Sequence, residues 1–200
     1  GSIVFEGKDI TKVPGYKLVS MGIAHVPEDR NLNGCAPEMS VRDNLIATSL
    51  KRLSGKGSIL KPKEIESYCD KCVEDFTVKT MNLDISIKSL SGGNVQKAIV
   101  AREFTAGAEI IVLNQPTRGV DVGAMEFIHK KILEMRDEKK SLILVSADLT
   151  ELRALSDRII VFHQGKVAGV INDVPAATEE ELGLYMLGLK EDPAEKLQEA

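Results

Sequence analysis

Tryptophan is absent from this chain, its aromatics are five phenylalanines and three tyrosines, and no apolar run approaches the length of a bilayer. A spanning helix needs roughly 18 to 20 consecutive apolar residues, whereas the longest runs here, 110–113 and 159–162, are strand-sized. Attachment to a membrane is therefore expected to go through another protein. A basic start followed by an apolar stretch is missing as well, so no secretory leader is read, and the setting reads as cytosolic. Cysteine is scarce: three residues, an odd number, make no disulfide framework. Cys69 and Cys72 form a single CxxC in a helical stretch, with no second pair and no neighbouring histidine, and are read as structural, as is Cys35. Positive charge is also short, with 26 Lys and Arg against 30 Asp and Glu. A net charge of -4 and a pI near 5.5 offer no cationic footprint for a polyphosphate strand, which excludes nucleic acid as an expected partner.

What is present suits a folded α/β protein. Two hundred residues, 43% of them hydrophobic and 28% charged, can bury one core or two small subdomains that share one. Residues 3–5 read as a short strand, 14–21 as a helix opened by proline, and 23–26 as a buried strand. The polar segment 27–34 interrupts regular structure. Ser40 then caps a helix in which Val41, Leu45, Ile46 and Leu50 recur at helical spacing. A loop at 54–58 leads into an amphipathic helix at 62–76. The second half alternates strands (110–113, 142–145, 159–162, 167–171) with helices (123–137, 149–155), the pattern of a parallel sheet covered by helices. The tail is expected to be helical from 178 to 187 and to fray from 190 onwards.

The strongest chemical signal is Leu90-Ser91-Gly92-Gly93-Asn94-Val95-Gln96-Lys97 running into a helix. Paired glycines let a ligand approach the backbone, and a serine hydroxyl beside the first amides of a helix makes an anion site reinforced by the helix dipole. Alone, the same residues serve as an ordinary cap and turn. The apolar strand 110–113 follows about 20 residues later, and then comes Asn114-Gln115-Pro116-Thr117-Arg118-Gly119-Val120-Asp121.

This order of LSGG, helix, apolar strand and PTxGxD resembles the ATP-binding cassettes of ABC transporters, over nearly the whole chain. Pro27-Glu28-Asp29-Arg30, the N-x-Q-K ending of the signature and the Arg118-Gly119-Val120-Asp121 loop narrow the resemblance to the second cassette of the tandem ATP-binding proteins of simple-sugar and nucleoside importers. It implies a partial RecA-like P-loop NTPase core, a parallel sheet with helices, plus the family's helical subdomain. The implied division is 1–39 for the first part of the core with a Q-loop-like segment, 40–90 for the helical subdomain, 91–188 for the signature helix and core, and 189–200 for a tail. By the same resemblance Ser91, Gly92, Gly93, Asn94 and Gln96 form the signature, Asp121 the D-loop aspartate, and Glu28 the Q-loop position, a weak metal contact beside the membrane subunit.

Three departures bear on catalysis. Hydrolysing cassettes end this strand in Asp-Glu, the aspartate serving Mg²⁺ and the glutamate polarising water, and here those positions are the neutral Asn114 and Gln115. Loss of a general base costs roughly 10² to 10⁴ in rate. Ala147 of Ser146-Ala147-Asp148 stands where a switch histidine is usual, while His25, His129 and His163 lie elsewhere and read as structural or exposed. No GxxxxGKS/T occurs: around Gly55-Lys56, Leu50 takes the first glycine position and Gly57 the Ser/Thr position. The chain therefore reads as a cassette that begins after its P-loop. In the resembled core the strand leading into that loop would lie between 142–145 and 159–162, and its absence calls either for direct pairing of those two strands or for another segment or a second chain to fill the gap by strand addition or swapping.

The resemblance thus implies a prokaryotic chain, peripheral on the cytoplasmic face of the membrane. ATP and Mg²⁺ would be bound in a composite site with a partner cassette. Transmembrane permease subunits are the further partners, and a substrate-binding protein acts indirectly. Two alternatives stay open: a catalytically competent ABC ATPase half in which Gln115 orients water, and a non-transport ABC ATPase.

Overall fold

In the computed structural model, which describes residues 1–55 and 59–197, helices and strands alternate as the hydrophobic pattern expects. Of the loop expected at 54–58, residues 56–58 lie outside the described residues. The elements divide into two compact units, Gly1–Val145 and Ser146–Ala200.

The first unit opens with a two-stranded hairpin, β1 (Val4–Phe5) and β2 (Lys8–Asp9). Helix α1 (Gly15–Ser20) follows, its start set by Pro14, whose φ of -65° is already that of a helix entry. Strand β3 (Ile23–Val26), β4 (Ile110–Asn114) and β5 (Ser141–Val145) form one parallel sheet in the order β3-β4-β5. The register pairs Val26 with Leu113 and Asn114 with Val145. The carboxyl ends of β3 and β4 thus lie side by side, and they release segments 27–34 and 114–121 as neighbours. In open parallel sheets this end is where ligands are met.

Between β3 and β4 the chain makes one wide π-type turn at Arg30–Gly34, capped by Asp29, and then helices α2 (Val41–Ile46), α3 (Pro62–Asp75) and α4 (Gly92–Thr105). Ser40 and Asp43 close a capping box on α2, which fixes its start. The helix stops at Ile46, short of the expected Leu50, and the chain turns so that the Ser49 hydroxyl meets Tyr68 3.3 Å away on α3. Pro62 occupies the first turn of α3, where its missing N–H costs nothing. Helix α4 is buried almost all round: Val95, Ala98, Ile99, Val100, Ala101 and Phe104 are buried, and so are Gln96 and the paired Arg102 and Glu103. Such a helix belongs inside a core rather than on its surface. Each fully buried Ile, Val or Phe contributes about 1.5–3 kcal/mol, and so α4 anchors its own amino terminus, the signature, firmly. Helix α5 (Val122–Asp137) buries Ala124, Ile128 and Ile132, and Asp121 caps it by accepting the Ala124 amide at 2.9 Å.

The second unit contains α6 (Leu149–Leu155), β6 (Ile159–His163), β7 (Lys166–Ile171), α7 (Glu179–Met186) and α8 (Ala194–Leu197). Strands β6 and β7 are antiparallel, joined at Gln164 and Gly165, whose φ values of 48° and 77° are those of a two-residue hairpin turn. Their core is Ile159, Val161, Ala168, Ile171, Leu182 and Tyr185. Of the tail expected to fray from 190 onwards, residues 198–200 lie outside the described residues, while 190–197 are fastened at the buried Asp192, which accepts from the Tyr185 hydroxyl at 2.7 Å, the Val170 amide at 2.8 Å and Lys196 Nζ at 2.9 Å. Polar composition predicted solvation; the carboxylate finds three donors. Within the first unit β5 is laddered to β4, and within the second β6 is laddered to β7.

Candidate functional site

Helix α4 presents Ser91 at its amino cap, and the Ser91 hydroxyl makes no cap bond to the helix amides. It accepts instead from Asn94 Nδ2 at 2.8 Å, while Asn94 Oδ1 accepts the Lys79 amide at 2.9 Å. Ser91 is exposed and held in one orientation by Asn94. The positive end of a 14-residue helix is left without a capping side chain, the arrangement that attracts an anion.

Both glycines are demanded by neighbours. A methyl at Gly92 would lie 2.9 Å from Arg30 Nη2, and one at Gly93 would lie 2.9 Å from Asp121 Oδ2 and 3.2 Å from Ala124 Cβ. Asp121 therefore touches the signature with one carboxylate oxygen while its other oxygen caps α5. Gln96 is turned the other way. It is only 3% exposed and donates to the Pro116 carbonyl at 2.7 Å, so its amide holds the 114–121 segment from inside.

The structure brings Ser91, Gly92, Gly93, Asn94 and Asp121 together at one edge, with Glu28 nearby through an ion pair to Arg118. Asn114 ends β4 and Gln115 follows, its amide donating to the Val145 carbonyl at 2.8 Å. Gln115 has a φ of 51°, a left-handed conformation that a non-glycine residue holds only under constraint from its surroundings. Ala147 lies in the second unit, one residue before the α6 cap Asp148.

Arg30, quoted in the sequence only as the end of the Pro27-Glu28-Asp29-Arg30 segment, is a site residue to which sequence reasoning gave no role of its own. Its Nη1 donates to the Arg118 carbonyl at 2.8 Å and its Nη2 to the Gly119 carbonyl at 3.1 Å. The available signal was a lone cation in the segment between a buried strand and a helix, but its partners lie almost 90 residues away.

Among the described residues no group of three His, Cys, Asp or Glu side chains could hold a metal ion. Asn114 and Gln115 are neutral amides, and Mg²⁺ prefers charged oxygen donors. This donor set does not fit the ion, and no step is assigned through it. Cys69 and Cys72 are buried thiols: burial pushes Cys69 up to about 12, with Cys72 and nearby carboxylates adding to it, and burial raises Cys72 as well.

With that geometry in view, three comparisons bear on its origin. No family model matches the chain. The nucleoside import ATP-binding protein NupA of Lactococcus lactis subsp. cremoris is 40% identical over 189 residues, which is 94% of this chain and 37% of the relative. The guanosine import ATP-binding protein NupO of Bacillus subtilis is 37% identical over 98% of this chain and 38% of its own length. The xylose import ATP-binding protein XylG of Photobacterium profundum is 40% identical over 86% of this chain and 34% of its own length. The chain thus spans little more than a third of the curated relatives it matches. Among solved structures, the dimeric MJ0796, a bacterial ABC transporter cassette, superposes with a TM-score of 0.72 at 19% identity, covering 86% of this chain and 72% of that one. The same cassette in a post-hydrolysis dimer bound to ADP and Pi matches equally well. The chain therefore has the RecA-like fold of an ABC ATPase cassette, and its homologues are the ATP-binding proteins of nucleoside and sugar importers.

Proposed function

We propose that this chain supplies its signature to the ATP held by a partner cassette of a nucleoside or sugar importer, and is itself catalytically degenerate. The observation that carries the reading is the start of α4. Ser91 is exposed, fixed by Asn94 and makes no cap bond to the helix, and two glycines let Arg30 and Asp121 lie against the helix's positive end. Ser91, Gly92 and Gly93 would hold the γ-phosphate, and Asp121 would set the distance between the signature and α5. Asn114, Gln115 and Ala147 offer neither a carboxylate nor an imidazole, so no residue in those positions can take the proton of an attacking water. ATP supplies the phosphoryl group whose hydrolysis drives transport; Mg²⁺ would arrive with it on the partner cassette.

The partner cassette belongs to the same polypeptide or to a dimer, and the assembly would sit at the cytoplasmic face of the membrane. Among the described residues no helix is long and apolar enough to cross it. A groove of about 550 Å³ lined by Gly34, Cys35, Met39, Ile46, Leu50 and Leu60 lies beside the turn at Arg30–Gly34 and suits a docked permease segment. The four parts expected from the resemblance, 1–39, 40–90, 91–188 and 189–200, would serve as first core segment, helical subdomain, signature with remaining core, and tail.

The constrained backbone of Gln115 favours a second reading, in which that amide orients water in a competent half-site. One experiment separates the two. In the assembled complex Ser91→Arg should abolish most ATP turnover, because its bulk occupies the phosphate position, while Gln115→Ala should leave most of it. Equal loss in both, read by steady-state phosphate release, would favour the competent half-site and overturn the degenerate one.

A further inference from the structure

We infer that Arg30 is a positioning residue for the phosphate end of the composite ATP site, its guanidinium bridging two consecutive carbonyls and holding the 116–121 turn against the start of α4. The inference deepens the signature role proposed above and rests on it. A guanidinium offers N–H groups in a rigid planar fork, suited to two acceptors at once. Arg30 uses that fork on the Arg118 and Gly119 carbonyls, at 2.8 and 3.1 Å.

Glycine at 92 leaves room for the fork, and Gly119 lies in ordinary contact with it. A methyl at Gly92 would meet Nη2 at 2.9 Å, and one at Gly119 would meet it at 3.6 Å. Gly119 also has a φ of 65°, where a side chain would be strained. Arg30 thus lies between the signature and the turn that carries Asp121, and touches both. Its own backbone is fixed, because Asp29 Oδ1 accepts the Asn31 and Leu32 amides at 2.9 Å each and so sets the turn at Arg30–Gly34.

Two consequences follow for an anion at Ser91. The carbonyl dipoles of Arg118 and Gly119 are satisfied by a cation rather than left to repel phosphate, and a permanent positive charge stands beside the positive end of α4. The Glu28–Arg118 pair gives a second tie between the same two segments, but it joins exposed side chains and is worth little by comparison.

The test uses Arg30→Gln and Arg30→Lys. In the 200-residue chain, amide hydrogen exchange should quicken at residues 118–120 in both variants, while exchange in the body of α4 stays unchanged. In the assembled complex kcat/KM for ATP should fall by about tenfold or more in Arg30→Gln, as expected for losing charge-assisted hydrogen bonds, and Arg30→Lys, which keeps the charge, should recover only a small part of that loss because an ammonium cannot replace the fork. Near-normal turnover with Arg30→Lys would show that charge alone matters and would overturn the bridge, as would unchanged exchange at residues 118–120. Ser91→Arg is run in parallel: if turnover survives it, the signature reading fails, and the exchange result still decides whether Arg30 holds the turn.

Discussion

Gly93→Ala sets two opposing effects against each other on one atom. Alanine is favoured over glycine inside a helix by about 1 kcal/mol, and Gly93 is the second residue of α4. The new methyl would stand 2.9 Å from Asp121 Oδ2 and 3.2 Å from Ala124 Cβ. Asp121 cannot simply swing away, because its other oxygen caps α5 through the Ala124 amide, and Ala124 is buried at 3% exposure. Overpacking of this kind costs about 1–3 kcal/mol. Sterics win, and the net expectation is a loss of about 0–2 kcal/mol, with the amino termini of α4 and α5 pushed apart. Gly183 in α7 is the internal control: a methyl there meets nothing within 4 Å, so Gly183→Ala should stabilise its own unit by about 0.5–1 kcal/mol. Hydrogen exchange in α4 and in α7 reads each variant locally, and Asp121→Ser, which keeps a capping oxygen but shortens the side chain, should recover part of the Gly93→Ala loss. Stabilisation of α4 by Gly93→Ala to the extent that Gly183→Ala stabilises α7 would refute the close approach of Asp121 to the signature.

Acid should release the tail. Burial alone would raise the Asp192 pKa, but Lys196, the Val170 amide and the Tyr185 hydroxyl outweigh it and hold the carboxyl at about 2. That is below the ordinary value of about 3.9, so its contribution to stability is complete above about pH 4 and fades as pH falls towards 2. Exchange across Lys166–Ile171 should show this fading in the native chain and not in Asp192→Asn. The thiols should separate by burial: Cys35, half-buried, should react with a thiol reagent at pH 8 before Cys69 and Cys72, which should stay silent until the chain is denatured. Fast native labelling of Cys69 would contradict its burial.

The amino-acid sequence by itself determined the order of elements and much of the site, because those signals are local. Caps such as Ser40, Asp121 and Asp148 act on amides two or three residues away, and apolar spacing marks a buried face without regard to its partner. The LSGG run and the amides at 114 and 115 were legible for the same reason. Tertiary structure decided what depends on distant neighbours. Gln96 belongs to the signature by spacing, yet the burial of α4 turns its amide inward to Pro116, 20 residues on. Asp192 looks solvated in a polar tail until Val170 and Tyr185 are placed beside it. Arg30 shows the difference most plainly: parallel pairing of β3 with β4 brings the segments after them together, and only then does an arginine in a polar turn meet two carbonyls 88 and 89 residues away.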